Sequence, residues 1–281
     1  MTKKFLGLIA SGAALVLLAG CAGNTDAGAG DGELKTTTEG TLTVGISPDF
    51  PPMEYIDGDD LVGSDVELIT EVADRLGLKV KFEQQKFDQL INSVRTDRVD
   101  IIISGMSDTV ERQKTLDFID YYNSQGRFYT TAEQVSDFTE PSDVCGSTVA
   151  VSKLTDYYAE VEKFSKKVCE DEGKPAVSLV GTDSGAAARL QLDQGRAQLA
   201  VQGAENLAFF EVEQPGQYVI VLDPLIEQPF AAGVRKGNTA LAEAVRDALQ
   251  DLYDDGTTEE ILTKFGIPDG LREPAINEVT E

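Results

Sequence analysis

The chain has 281 residues, 41% of them hydrophobic, which is enough for a large domain or two ordinary ones and argues against global disorder. Its 49 acidic and 24 basic residues leave a net charge of −25, a surface that repels phosphate backbones and anionic headgroups and so disfavours nucleic acid as a partner. It contains no histidine, the commonest general base and metal ligand, which argues against hydrolase or zinc chemistry and leaves no metal site or cofactor to propose.

In chain order, Lys3 and Lys4 precede an apolar run from Phe5 to Leu18, too short for a comfortable membrane span. The run ends in Leu18-Ala19-Gly20-Cys21, which resembles a bacterial lipobox. Residues 1–20 are therefore expected to be a lipoprotein signal peptide, with Cys21 as the lipidated residue. Residues 21–39, rich in Gly, Ala and Asp, are expected to be a flexible tether. Removing residues 1–20 takes two lysines and no acid, so 22 basic and 49 acidic residues leave −27. No later stretch approaches eighteen apolar residues. Export makes Cys145 and Cys169 the one possible intramolecular pair once Cys21 carries lipid, and a disulfide between them is predicted; the alternative is two buried free thiols.

Thr41–Ser47 reads as a strand, Ser64–Leu76 as an amphipathic helix stopped by Gly77, and Leu78–Phe82 as a strand. Phe87–Arg95 reads as a short helix, and Val99–Ser104 as a strand buried on both faces. The same order then returns: strand at Thr148–Val151, helix at Thr155–Val168, strand at Ala176–Val180, helix at Asp183–Asp193 and strand at Gln198–Gln202. A last helix spans Leu241–Tyr253, and the polar residues Arg272–Glu281 are expected to fray. A duplicated β-α-β-α-β order points to two α/β lobes. Ligands of open α/β sheets sit beyond the carboxyl ends of the strands, here the loops Ser47–Phe50, Ser104–Ser107, Ser152–Asp156 and Gln202–Glu205.

At these loops the sequence resembles the polar amino acid family of bacterial solute-binding proteins, family 3. The resemblance rests on Gly40-Thr-Leu-Thr-Val-Gly45, Phe50-Pro-Pro-Met-Glu-Tyr55, Leu61-Val-Gly-Ser-Asp-Val-Glu-Leu68, Val99 through Arg112, Leu116-Asp-Phe118, Asp255-Gly-Thr257 and Lys264-Phe-Gly266. It implies an α/β, two-lobe periplasmic-binding-protein-like fold of type II with two hinge crossovers. Lobe 1 would comprise residues 40–122 plus 228–270, lobe 2 residues 127–223, and a C-terminal tail residues 271–281. The crossovers would fall near Tyr122–Arg127 and Asp223–Glu227.

The function it implies is the extracytoplasmic binding component of an ABC importer, a monomer held to the outer face of the cell membrane by lipid alone. It would capture a small polar solute, foremost an amino acid, and work with permease subunits. Two alternatives are a secreted dehydratase-like enzyme on the same fold and a tethered sensor module.

For the site, the resemblance makes Arg112 the clamp for a ligand carboxylate, which suits a planar guanidinium. Thr109 opens and caps its helix, Ser107 offers a hydroxyl, and the Ser104 and Gly105 carbonyls can accept from an ammonium. Phe50 covers the ligand; Phe87 does the same or packs in the core. Tyr121 and Tyr122, beside the first crossover, either touch ligand or pack beneath the hinge. Thr155 and Asp156 lie in the second-lobe loop, where Leu154 replaces a usual glycine. Gly203 stands where many relatives carry an aspartate for the ammonium; Glu205 or Asp156 are the substitutes at hand.

Overall fold

Two sets of apolar strands, each flanked by helices, follow from the duplicated pattern, and a computed structural model of the protein, describing residues 34–280, shows how they join. The first set begins with β1 (Thr41–Ile46), whose Leu42, Val44 and Ile46 are fully buried. A small antiparallel sheet of β2 (Asp49–Phe50), β3 (Glu54–Asp57) and β4 (Asp60–Val62) follows. Helix α1 (Ser64–Arg75) buries Leu68, Ile69 and Val72, at roughly 1.5–3 kcal/mol for each large side chain. Then come β5 (Lys79–Gln84), α2 (Leu90–Arg95), β6 (Ile101–Ile102) and α3 (Val110–Gln113).

Strand β7 (Leu116–Thr131) carries the chain into the second set: β8 (Thr148–Ser152), α4 (Tyr157–Phe164), β9 (Ser178–Thr182), α5 (Gly185–Asp193), β10 (Leu199–Gly203) and α6 (Ala204–Glu213). Strand β11 (Tyr218–Arg235) returns to the first, followed by α7 (Thr239–Asp254), α8 (Thr257–Lys264) and β12 (Leu271–Ile276).

The strand order is β5-β1-β6-β11-β7-β10-β8-β9, with β12 beside β7. β5, β1 and β6 are mutually parallel, as are β9, β8 and β10. The antiparallel pair β7 and β11 runs between these arrays and belongs to both. Its pairing is interrupted between Val221 and Ile226, where Leu222 has φ of 63°. Each array has its own core. Leu42, Val44, Leu68, Ile69 and Val72 meet α7 and α8 in one, and Phe128, Val149, Val151, Leu199 and Val201 pack together in the other. The molecule thus has two lobes joined by two strands, not by loops.

The crossovers expected near residues 122–127 and 223–227 fall on the two long strands, where Gly126 pairs with Ile226 and Ser124 with Gln228. Other elements differ from the sequence expectation. The expected strand over Val99–Ser104 shortens to Ile101–Ile102. The tail is not frayed: Leu271 pairs with Tyr122 and Ile276 with Ile119, and Asn277 N–H donates to Phe118 O. Leu271 and Ile276 pack against the lobe 1 core, and Arg272 lies 3.6 Å from the buried Asp120. The last residues of the expected tether also dock, because Thr37 N–H and hydroxyl donate to Asp100. Cys145 and Cys169 are joined in a disulfide, with Cα atoms 5.5 Å apart. Cys21 and the signal segment lie outside the described residues. Among the described residues, no helix is long and apolar enough to cross a membrane.

Candidate functional site

A cavity opens between the lobes at the carboxyl ends of the parallel strands. Lobe 1 lines it with Asp49, Phe50, Phe87, Ser104, Gly105, Ser107 and Arg112, and lobe 2 with Ser152 through Tyr157, less Lys153, and with Asp183, Ser184 and Gly185. Val201, Gln202 and Phe230 complete its wall. Eight of the sequence-derived candidates therefore meet in one place: Phe50, Phe87, Ser104, Gly105, Ser107, Arg112, Thr155 and Asp156. Thr109 and Glu205 are not in the lining.

Arg112 owes its position to a short helix. The Thr109 hydroxyl accepts from Arg112 N–H at 3.2 Å, capping α3. The guanidinium donates to Ser107 O at 2.9 Å, and its outer nitrogens face Asp156 across the cleft at 3.2 and 3.4 Å. Both carboxylate oxygens of Asp156 are engaged, so Arg112 already shows the two-point geometry of carboxylate recognition. Ser107 is held from behind by Gln228, whose amide donates to its hydroxyl at 2.7 Å.

Phe50 stands against Gly105 and packs edge-on against Phe230, ring centroids 5.9 Å apart. Gly105 has φ of +50°, and a Cβ there would fall 2.5 Å from the Phe50 ring, so glycine is needed twice over. Tyr121 and Tyr122 do not reach the cavity. Tyr121 donates to the buried Asp65, and Tyr122 stacks on Phe230, so packing beneath the hinge is their place.

In lobe 2, the loop bearing Leu154 closes on itself: Leu154 N–H donates to the Ser152 hydroxyl and the Thr155 hydroxyl to Ser152 O. Leu154 does not open this turn. Further contacts join the lobes around the cleft. Asn206 donates to Pro51 O, and the Tyr55 and Phe209 rings lie 5.3 Å apart.

Glu205 corrects the sequence expectation in an informative way. It is 1% exposed, and its carboxylate accepts from the Ser124 hydroxyl at 3.0 Å instead of lining the cavity. A Cβ on Gly203 would fall 1.6 Å from Glu205 Oε1. The Glu205 carboxylate thus fills the volume that a side chain at 203 would occupy. Burial pushes its acid up to about 7.

The sequence reading missed Asp183, Ser184 and Gly185. They follow β9, so the strand-end rule applied to the other loops points to them as well. Phe230 and Gln228 come from β11, an antiparallel strand to which that rule does not extend. Among the described residues no group of three or more acidic or cysteine side chains is placed to hold a metal ion.

The sequence pattern of the bacterial extracellular solute-binding proteins, family 3, matches residues 42–267, including every lobe-facing loop just described. The chain belongs to this family. It is 29% identical to the arginine-binding protein ArgT of Corynebacterium glutamicum, over 84% of this chain and 78% of that one. It is also 29% identical to the L-cystine-binding protein TcyA of Bacillus subtilis, over 94% of this chain and 97% of that one. Among solved structures, the arginine-bound form of truncated ArgBP from T. maritima is 34% identical, covers 76% of this chain and 96% of that one, and superposes with a TM-score of 0.66.

Proposed function

We propose that this family member captures an amino acid with a cationic side chain, such as arginine, and hands it to an ABC importer. The observation that carries the reading is Arg112 at the cleft face, already arranged on a carboxylate with two-point geometry. In the bound state the ligand carboxylate takes that guanidinium, with the Ser107 hydroxyl and the Thr155 backbone beside it. Asp156 then exchanges the guanidinium for the ligand ammonium, which also meets Ser104 and the Gly105 carbonyl. Phe50 and Phe87 cover the ligand. The charges in the lining support a cation: Asp156 is paired with Arg112 and Asp183 with Lys153, whereas no basic side chain forms an ion pair with Asp49 among the described residues. The arginine-binding relatives agree with that class.

The reading is of binding without turnover. Of the carboxyl groups that the sequence offers as an acid or base, Asp156 is engaged by Arg112, and Glu205 accepts from Ser124 outside the cavity lining. Calorimetric titration with the twenty amino acids tests it. Arginine or lysine should bind tightly and glutamate should not; tight binding of a neutral solute that persists in Arg112→Ala would overturn the site.

The lobe limits at 40–122 plus 228–270 and 127–223, the monomeric state, the permease partner and the lipid anchor at Cys21 belong to the same proposal. Anchoring rests on Leu18-Ala19-Gly20-Cys21. Cys21→Ser should move the protein from the membrane fraction to the medium or block its processing, and an unchanged mass and fractionation would sink that part.

A further inference from the structure

Two carboxyl groups lie buried behind the lobe 1 wall, and neither has a role so far. Glu54 on β3 and Asp65 on α1 are both 0% exposed, and because they accept from the adjacent residues Ser104 and Gly105 they lie against each other. Two carboxylates are both acceptors, so such a contact requires a proton between them. The donors around them show where it resides. Asp65 accepts Gly105 N–H at 2.9 Å and the Tyr121 hydroxyl at 2.8 Å, which suits the anion. Glu54 accepts only the Ser104 hydroxyl, at 2.7 Å, and no donor reaches its other oxygen, Oε2. Glu54 is therefore the acid and Asp65 its base.

The groups facing the pair are Asp49 from β2, Tyr121 and Tyr122 from β7, and Glu205 from α6; no basic side chain forms an ion pair with either carboxyl among the described residues. Burial first, and for Glu54 the neighbouring Asp65 next, push both acids up, Glu54 well above the ordinary range and Asp65 to about 6, in line with that assignment.

The consequence reaches the cleft through Ser104. Its only proton is spent on Glu54, and it accepts Ser47 N–H at 3.0 Å. One lone pair is left, and Ser104 lines the cavity. We propose that Glu54 and Asp65 are positioning residues: the proton held between them fixes the Ser104 hydroxyl as an acceptor toward the cleft, selecting a ligand that brings an ammonium donor there. This rests on the amino acid reading above.

The test compares arginine with its deaminated analogue, which lacks the α-ammonium, on wild type, Glu54→Gln and Glu54→Leu. Glutamine can donate to Asp65 and accept from Ser104, so Glu54→Gln should stay within about three-fold of wild type for both ligands. Glu54→Leu frees the Ser104 proton and should cost arginine about ten-fold, the scale of one hydrogen bond to a charged group, with the deaminated analogue little changed. Equal weakening of both ligands, or Glu54→Gln as weak as Glu54→Leu, would overturn the proposal. Should Glu54→Leu fail to fold, Ser104→Ala must show the same selective loss.

An infrared difference spectrum of wild type against Glu54→Gln at neutral pH, without ligand, should show the C=O stretch of a protonated carboxylic acid. Its absence ends the proposal whatever the ligand. If wild type binds no amino acid, the functional reading falls, and the infrared band still decides whether the proton is shared.

Discussion

The two walls of the cleft are built differently. The lobe 1 wall rests on fixed polar partners, three of them buried: Gly105 on Asp65, Ser104 on Glu54 and Ser107 on Gln228, with Arg112 on the half-buried Thr109 cap. The lobe 2 loop rests mainly on itself, through Ser152, and its Asp156 is held by a residue of the opposite lobe. Preorganised groups make strong, geometry-specific contacts, because less ordering entropy is lost on binding. A loop that exchanges partners gains less per contact. Lobe 1 should therefore carry most of the affinity, and lobe 2 should adapt to whatever lobe 1 holds.

The largest expected effect tests that asymmetry directly. Removing one partner of a desolvated ion pair costs about 2–5 kcal/mol, so Arg112→Ala should weaken binding by roughly thirty-fold to several thousand-fold, with little recovery in Arg112→Lys. Calorimetry reads this, and a change under ten-fold would remove the distinction between the walls.

Next comes the disulfide, which belongs to lobe 2 and lies outside the cavity lining. Closing a loop of 24 residues should contribute about 3 kcal/mol in the chain-entropy model. The double variant Cys145→Ala/Cys169→Ala should melt at lower temperature yet keep its affinity, and lost affinity would mean that the staple also shapes the cleft.

A smaller effect separates the buried acids from the exposed ones. Burial holds Glu205 and Asp120 up at about 7 and Asp65 at about 6. A raised folded value means that the native form holds the proton more tightly than the unfolded chain. The stability this contributes is full below the ordinary carboxylate range and is lost as pH rises through 6 to 7. Thermal unfolding should therefore occur at higher temperature at pH 5 than at pH 8. Glu205→Gln should flatten the profile and stabilise the protein at pH 8 by on the order of 1 kcal/mol, with affinity little altered. A steeper profile in the variant would contradict the assignment.

Asp156→Asn should change affinity only modestly. It removes a competitor for Arg112 in the free protein and a partner for the ligand ammonium in the complex, and these oppose. We expect a change under about five-fold, and a loss as large as that of Arg112→Ala would place the main anchor in lobe 2 instead.

The sequence made the parallel arrays legible because their strands are nearly continuous apolar runs, as in Val149–Val151 and Leu199–Val201, and their helices keep a clear period. The long strands β7 and β11 were not legible. Their polar residues Asn123, Ser124, Gln125, Glu227 and Gln228 read as connecting segments, and only mutual pairing makes them strands. α6 went unread for a related reason: Ala204–Glu213 is apolar on more than one side, with Leu207 and Phe210 buried and Phe209 packed against Tyr55, so it shows little periodicity. Within the site, loop residues at strand ends were readable. Glu54 and Asp65 were not, since a carboxyl beside a turn and another in the first turn of a helix look like solvent-facing groups until the fold buries them.

The crowding between Gly203 and Glu205 also constrains how the chain can change. Any side chain at 203 meets the Glu205 carboxylate, and Glu205 sits beside Ser124 only because 203 has none. Moving the carboxylate from one position to the other must then proceed in a set order: Glu205 shortens first, and residue 203 grows afterwards. The reverse order passes through an intermediate with a buried acid expelled from Ser124. Variation at these two positions among descendants of this chain is expected to be linked and directional.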